Sequence, residues 1–267
     1  MFACSRLGAY FTLLNYAYAP SELINAIEAT TPKILLTTTA TGRFKHVPVL
    51  QLLCDRVRCL ERIILLPNTS RPREARHLRG PFMNYEDIIR ERPHNDIDLD
   101  ALESLVTDAD ILNLQFTSGS TGLPKTAALT HHGMLNSARY IGMKMKIKQG
   151  DVINIPVPLF HAFGLVIGMR LLDIYNGVQT TDTYTGLCAA MAYGASIVLP
   201  SELYDTEETL RSIALYRCTA LYGVTTMFVD MLCHPTFDTT DRSSLRYDSL
   251  QSSPMTITVT NYYVDSA

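Results

Sequence analysis

An α/β fold, with mixed sheets flanked by helices, is what this sequence predicts, and three stretches carry the expectation. Residues 21–37 read as an amphipathic helix followed by an apolar strand, and residues 47–67 repeat that order. Residues 111–141 run strand, polar loop, strand, helix. Helices and strands that alternate along a chain pack in layers around a sheet. With 267 residues, 47% of them hydrophobic, the chain can fill the core of one large domain or two small ones.

Charge and cysteine usage narrow the function classes. A net charge of −3 gives no electrostatic footprint for nucleic acid, and 18% charged residues is too low for a disordered chain. Cys4, Cys54, Cys59, Cys188, Cys218 and Cys233 show no C-x-x-C and no paired cadence, which argues against a zinc site and a disulfide framework. Free thiols in a reducing, intracellular compartment are expected, with cytoplasm, mitochondrion and peroxisome all open. No apolar run has the length of a transmembrane helix. Arg6, the apolar Leu7 to Leu14 and Ala17-Tyr18-Ala19 imitate a signal peptide. Asn15 and the tyrosines dilute that apolar core, so the stretch reads as part of a domain.

Taken in order, Phe2 to Leu14 reads as a helix running into a short strand. Pro20, Ser21 and Glu22 then stand in helix-starting order, and Leu23, Ile24 and Ile27 recur at helical spacing. Thr31-Pro32 ends that helix before the strand Lys33 to Thr37. Val47 to Leu60 is the next helix and Arg62 to Pro67 the next buried strand. Asn68 to Gly80 carries four arginines without interleaved aromatics and reads as a solvated loop. Tyr85 to Arg92 reads as a short helix, and Pro93 to Asp100 as a linker. The alternating Asp96, Asp98 and Asp100 lack the glycine and glutamate of a calcium loop.

The most specific stretch follows. The apolar run from Ile111 opens into Thr117-Ser-Gly-Ser-Thr-Gly-Leu-Pro-Lys125. Hydroxyls on Thr117, Ser118, Ser120 and Thr121 surround Gly119 and Gly122, where a ligand can approach the backbone amides, and Lys125 adds a positive charge. Amides, hydroxyls and an ammonium on one loop suit a polyphosphate, whose oxygens accept hydrogen bonds and carry negative charge. The pattern falls one residue short of the P-loop, G-x-x-x-x-G-K-[ST]. Pro124 stands where the second glycine belongs and has no amide to donate. As written, the nine residues resemble the signature loop of the adenylate-forming, or AMP-binding, enzymes, which include acyl-CoA synthetases, peptide-synthetase adenylation domains and luciferases.

The resemblance extends in both directions. Arg6-Leu-Gly-Ala, Asn15 with its aromatic neighbours and Ser21-Glu-Leu are similar to the opening of acyl-CoA synthetases, leaving absent a stretch that usually precedes it. Ala127 to Thr130 reads as a strand and His131 to Ile141 as a helix capped by Thr130, with the adjacent histidines off any zinc spacing. Gly150-Asp151 marks a turn before the strand Val152 to Val157. Pro158-Leu-Phe-His161-Ala-Phe163-Gly164 resembles the family's P-L-F-H-x-x-G segment and places His161 at the mouth of an acyl pocket. Residues 169–185 break the pattern and are read as an insert, a retained intron or gene-model artefact. Ser196 to Leu199 reads as a strand, Thr206 to Tyr216 as a helix and Cys218 to Tyr222 as a strand. Tyr222-Gly223-Val-Thr225-Thr-Met-Phe resembles Y-G-x-P-T-M-F of medium-chain synthetases of the acyl-CoA synthetase family member two type, with Thr225 in place of proline. Residues 247–267 form a divergent tail in which Met255, Ile257 and Val259 alternate with threonines.

The resemblance implies an incomplete adenylation domain over residues 1–246, part of the large N-terminal domain of the adenylate-forming fold, without the C-terminal lid domain. It also implies a fatty acid–CoA ligase that uses ATP, Mg²⁺ and CoA to convert a carboxylate first to an acyl-adenylate and then to a thioester. Thr117, Ser118, Gly119, Ser120, Thr121, Gly122 and Lys125 would hold the phosphates; His161, Phe163, Gly164, Tyr222, Gly223 and Thr225 would line the acyl end. The family's Y-G-x-T-E, T-G-D and lid lysine find no match in the sequence, so no catalytic residue and no metal ligand is assigned. Groups that act as a unit are not additive, and the isolated 267-residue chain is expected to be inactive. The competing expectations are a non-catalytic nucleotide-binding remnant and a P-loop NTPase, the latter opposed by Pro124.

Overall fold

The computed structural model describes residues 1–67, 80–91, 97–117, 125–161 and 187–246. The arginine loop, the loop residues Ser118 to Pro124, Phe163, Gly164, the insert at 169–185 and the tail lie outside the described residues. The chain divides into two compact units, residues 1–128 and 129–267.

In the first unit, α1 (Phe2–Arg6) and α5 (Leu99–Ser104) are tied by Arg6, whose guanidinium meets Asp100 and Glu103. Pro20 starts α2 (Pro20–Thr30), and the Glu22 carboxylate accepts the Ala19 N–H at 2.7 Å. The strands β1 (Ile34–Thr37), β4 (Arg62–Leu65) and β5 (Phe82–Asn84) form a parallel sheet in the order β1-β4-β5. Between them lie the hairpin β2 (Ala40–Thr41) and β3 (Phe44–Lys45) and helix α3 (Val47–Arg56). Ile27 of α2, Leu50 and Leu53 of α3, and Ile63 and Leu65 of β4 make the core.

The departures from the sequence reading have local causes. The expected helix to Leu60 stops at Arg56, since Val57 turns extended at φ −100° and ψ 125° and joins the core. The expected linker through Asp100 instead begins α5, because Asp98 accepts from the amides of Asp100 and Ala101 as an N-cap. Helix α4 (Tyr85–Glu91) forms as expected. Strands β6 (Ile111–Thr117) and β7 (Lys125–Thr130) form a two-stranded sheet, and the unit boundary falls within β7.

The second unit opens with α6 (His131–Lys144), capped by the Thr130 hydroxyl on the Gly133 amide. Its sheet is parallel, in the order β10 (Ala220–Leu221), β8 (Val152–Asn154), β9 (Ser196–Val198). Helix α7 (Leu187–Ala192) packs on α6, where the Tyr193 hydroxyl donates to the Arg139 carbonyl at 2.6 Å. Helix α8 (Thr206–Tyr216) starts at Asp205, which caps the Glu208 amide. Helix α9 (Thr225–Leu232) follows β10 directly. The strand expected to reach Val157 ends at Asn154, two residues before Pro156, which has no amide for the ladder.

Candidate functional site

The phosphate-loop candidates are reached from β6. Leu112, Asn113 and Gln115 of this strand are buried. Phe11 pairs with Asn113 in a parallel bridge, donating to the Leu112 carbonyl and accepting from Leu114, each at 3.0 Å. The Asn113 amide donates to the Phe11 carbonyl at 3.0 Å, and the Thr12 hydroxyl donates to the Leu114 carbonyl at 2.6 Å. These bonds hold β6 so that its last residue, Thr117, faces the first residue of β7. The Thr117 hydroxyl donates to the Lys125 carbonyl at 3.2 Å, closing the neck of the loop. Lys125 itself is exposed, which leaves its ammonium open to an anion. Thr117 and Lys125 are thus brought together; Ser118, Gly119, Ser120, Thr121 and Gly122 lie outside the described residues.

The acyl-end candidates sit in the second unit, at the carboxyl ends of neighbouring parallel strands. Asn154 of β8 pairs with Leu221 of β10, and the Tyr222 amide donates to the Asn154 carbonyl at 3.0 Å. The segments that follow, residues 155–161 and 222–225, therefore leave the sheet side by side, where open α/β sheets place ligands. His161 is exposed along one side, lies tilted at 45° against Phe160 with centroids 4.5 Å apart, and is held below its usual pKa of 6.5 by partial burial. It therefore favours the neutral imidazole.

Tyr222 turns the other way. Its ring joins the core with Ile155, Val157 and Met145, and its hydroxyl lies 2.9 Å from the Met145 sulfur. Burial raises its pKa far above the usual 10. From this segment, Gly223 and the start of α9 therefore offer backbone rather than a phenol. A side chain at Gly223 would press on the Phe228 ring at 3.2 Å. Val224 gives α9 no side-chain cap. Phe163 and Gly164 lie outside the described residues.

A polar set that the sequence reading did not single out fixes this edge. Buried Asn154 donates to the Ser212 hydroxyl at 2.7 Å, tying β8 to α8. Asp151, also buried, accepts from the Lys148 amide, the Thr219 hydroxyl and Arg246 at 2.8 Å. Arg246 further donates to the Lys146 carbonyl. The available signal was an asparagine inside the apolar Val152-Ile-Asn-Ile155 run and an aspartate immediately before it.

Comparison with known proteins agrees with this architecture. The family model described as "AMP-binding enzyme" matches residues 1–264, and the chain belongs to that family. Among curated relatives, the acyl-CoA ligase sidI of Aspergillus fumigatus is 37% identical over 261 residues, covering 95% of this chain and 40% of that protein. The mitochondrial medium-chain acyl-CoA ligase ACSF2 of Danio rerio is 37% identical over 157 residues, 58% of this chain and 23% of that protein. The fold matches a crystal structure of the anthranilate CoA ligase AuaEII in complex with anthranoyl-AMP, with a TM-score of 0.69 at 20% identity over 90% of this chain and 40% of that one. The chain spans about 40% of the length of the first of these relatives.

Proposed function

We propose that this chain forms the phosphate-gripping and acyl-lining part of an ATP-dependent, AMP-forming fatty acid–CoA ligase. The observation that carries the reading is the hydroxyl- and glycine-rich loop, closed at its neck by Thr117 on Lys125, in a chain that belongs to the AMP-binding family. In this reading the carboxylate oxygen of a fatty acid attacks the α-phosphorus of ATP and pyrophosphate departs. The Lys125 ammonium and the loop amides and hydroxyls of residues 117–122 stabilise the charge on the departing group. His161, Gly223 and Thr225, with Phe163 and Gly164 and the backbone of Tyr222, shape the acyl end; the CoA thiol then loses its proton, its sulfur attacks the acyl carbon, and AMP departs as the acyl–phosphate bond breaks, leaving the thioester.

Mg²⁺ would arrive on the ATP phosphates and balance their charge. Among the described residues no group of three His, Cys, Asp or Glu stands together. Cys4, Cys54, Cys59, Cys188, Cys218 and Cys233 form no disulfide with one another, and the setting of this reading is intracellular and reducing. No helix among the described residues is long and apolar enough to cross a membrane. The P-loop NTPase reading finds no support in the family match.

ATP–pyrophosphate exchange across short, medium and long fatty acids tests the proposal. The 267-residue chain is expected to bind ATP without measurable exchange, and Lys125→Ala should weaken that binding by about tenfold or more. The chain joined to the remaining length of a relative such as the acyl-CoA ligase sidI of Aspergillus fumigatus is expected to exchange. Robust exchange by the 267-residue chain overturns the inactivity; ATP binding indifferent to Lys125→Ala overturns the phosphate-loop assignment; a joined chain inert with every acid leaves a non-catalytic remnant.

A further inference from the structure

In the second unit, helix α6 turns a mixed apolar and cationic face to solvent. Met134, Ala138 and Ile141 are buried, whereas Leu135, Arg139 and Met143, each four residues from the next, form an exposed row with Tyr140 and Lys144 beside it. Leu135 is 57% and Met143 55% exposed. The Lys144 ammonium lies 5.4 Å from the centre of the Tyr140 ring, a cation–π contact that keeps charge and ring together. Just beyond the helix, Met145 and Ile147 are held in the core, and Lys146 and Lys148 beside them are exposed. The backbone there is also fixed, since Arg246 donates to the Lys146 carbonyl and the Lys148 amide donates to Asp151. The charge has one sign: residues 131–150 carry Arg139, Lys144, Lys146 and Lys148 and neither aspartate nor glutamate, in a chain of net charge −3. Helix α7, packed on α6, adds no acidic residue, and Asp151 is buried with its charge met by Arg246.

We propose that the outer face of α6, continued by Lys146 and Lys148, docks on an anionic phospholipid surface. The mixture on the face selects that partner. Cations on long side chains reach the lipid phosphates, while Leu135, Met143 and the Tyr140 ring on the same helix face enter the apolar layer beneath the headgroups. An acidic protein surface or a nucleic acid would answer the cations alone and give Leu135 and Met143 no apolar partner. Each cation held close to such a membrane raises affinity by about fivefold, an attraction that salt screens. The docking is therefore peripheral and reversible, and it needs charge and apolar side chains together.

The test uses the 267-residue chain and vesicles of phosphatidylcholine with and without phosphatidylserine, with binding read by sedimentation. Binding to the anionic vesicles is expected to be at least about tenfold tighter and to weaken as salt rises. The chain contains no tryptophan, so Leu135→Trp places a single fluorophore on the face. Its emission should shift to the blue on anionic vesicles and be quenched by lipids brominated in their tails. Lys144→Gln combined with Lys148→Gln should weaken binding by about tenfold or more, and Met143→Ser by about threefold or more. Lys33→Gln combined with Arg90→Gln, which removes as many exposed cations from the first unit, should change it by less than about twofold. Equal binding to both kinds of vesicle, an unshifted tryptophan, or equal losses from the two lysine and arginine pairs overturns the proposal. So does binding to polyglutamate as tight as to vesicles and indifferent to Met143→Ser, which points to an acidic protein partner instead. Vesicle binding is read without ATP or a carboxylic acid, so failure here and failure of the ligase reading are distinguishable.

Discussion

The two parallel sheets are held by different chemistry. In the first unit Ile27, Leu50, Leu53, Ile63 and Leu65 interlock as an apolar core. In the second an apolar core is joined by buried Asp151, Asn154 and Ser212, through which the start of β8 is tied to Thr219 before β10 and the end of β8 to α8. Apolar packing tolerates small shifts in register and direction, whereas hydrogen bonds fix atoms to within a few tenths of an ångström. The sheet with polar ties is the one whose carboxyl edge launches residues 155–161 and 222–225. The difference teaches that the second unit's parallel sheet spends polar burial on aiming loops, while the first unit's parallel sheet spends apolar burial on holding helices and leaves its buried amide, Asn113, to β6.

That contrast is broken most directly at Arg246. Its side chain neutralises Asp151, whose own side chain is only 3% exposed. Arg246→Ala leaves that carboxylate buried without its cation and should cost about 3–5 kcal/mol, the usual penalty for removing one partner of a buried pair. Urea unfolding followed through the second unit measures it; a loss below about 1 kcal/mol would mean that the pair behaves like a surface ion pair. In the first unit, Leu53→Ala removes a fully buried side chain and should cost about 2–5 kcal/mol by transfer and cavity terms. Here the position of the loop neck should survive, since Thr117 and Lys125 bond to each other and not to this core.

Gly142 sharpens the comparison on a smaller scale. It is the point on α6 where the Tyr193 ring lies closest, and a methyl group built there collides with that ring. Gly142→Ala should therefore destabilise the second unit by about 1–3 kcal/mol through overpacking, against the gain in helix propensity expected at an open site. A thermal melt that rises on this substitution would show that the ring moves freely.

Much of the first level of structure was legible because periodicity and caps are local. The helix at Thr206–Tyr216 and the start of α6 at Thr130 follow from spacing and a capping side chain. The hairpin at residues 40–45 and strand β5 were not legible, because two- and three-residue strands hardly establish a period and depend on pairing with distant chain. At the candidate site, Thr117 and Lys125 stand out through the order of hydroxyls, glycines and a lysine after an apolar run, and the structure brings the two together. The direction of Tyr222 could not be read: an aromatic beside a glycine reads as pocket lining, and only packing against Met145 shows the hydroxyl to be committed to the core. Asp98 failed in the opposite sense, since the same three-residue acidic rhythm that looks like a linker also caps a helix.

The mildest probe of the contrast is acid. His46 lies in the first unit, half-buried, with its Nε2 3.2 Å from the Thr41 hydroxyl, and burial lowers its pKa from 6.5. The unfolded chain then takes up a proton at a higher pH than the folded one. The contribution of His46 to stability is fully present above pH 6.5 and declines as pH falls from there through the lower folded value. His161 shifts in the same direction in the second unit, so wild-type acid sensitivity alone does not assign the effect. His46→Gln does. Urea midpoints at about pH 8 and pH 5.5 should converge more closely for the variant than for wild type, with the difference confined to signals from the first unit. An equal acid response in both proteins would move the sensitivity to His161 and to the edge that the polar network holds.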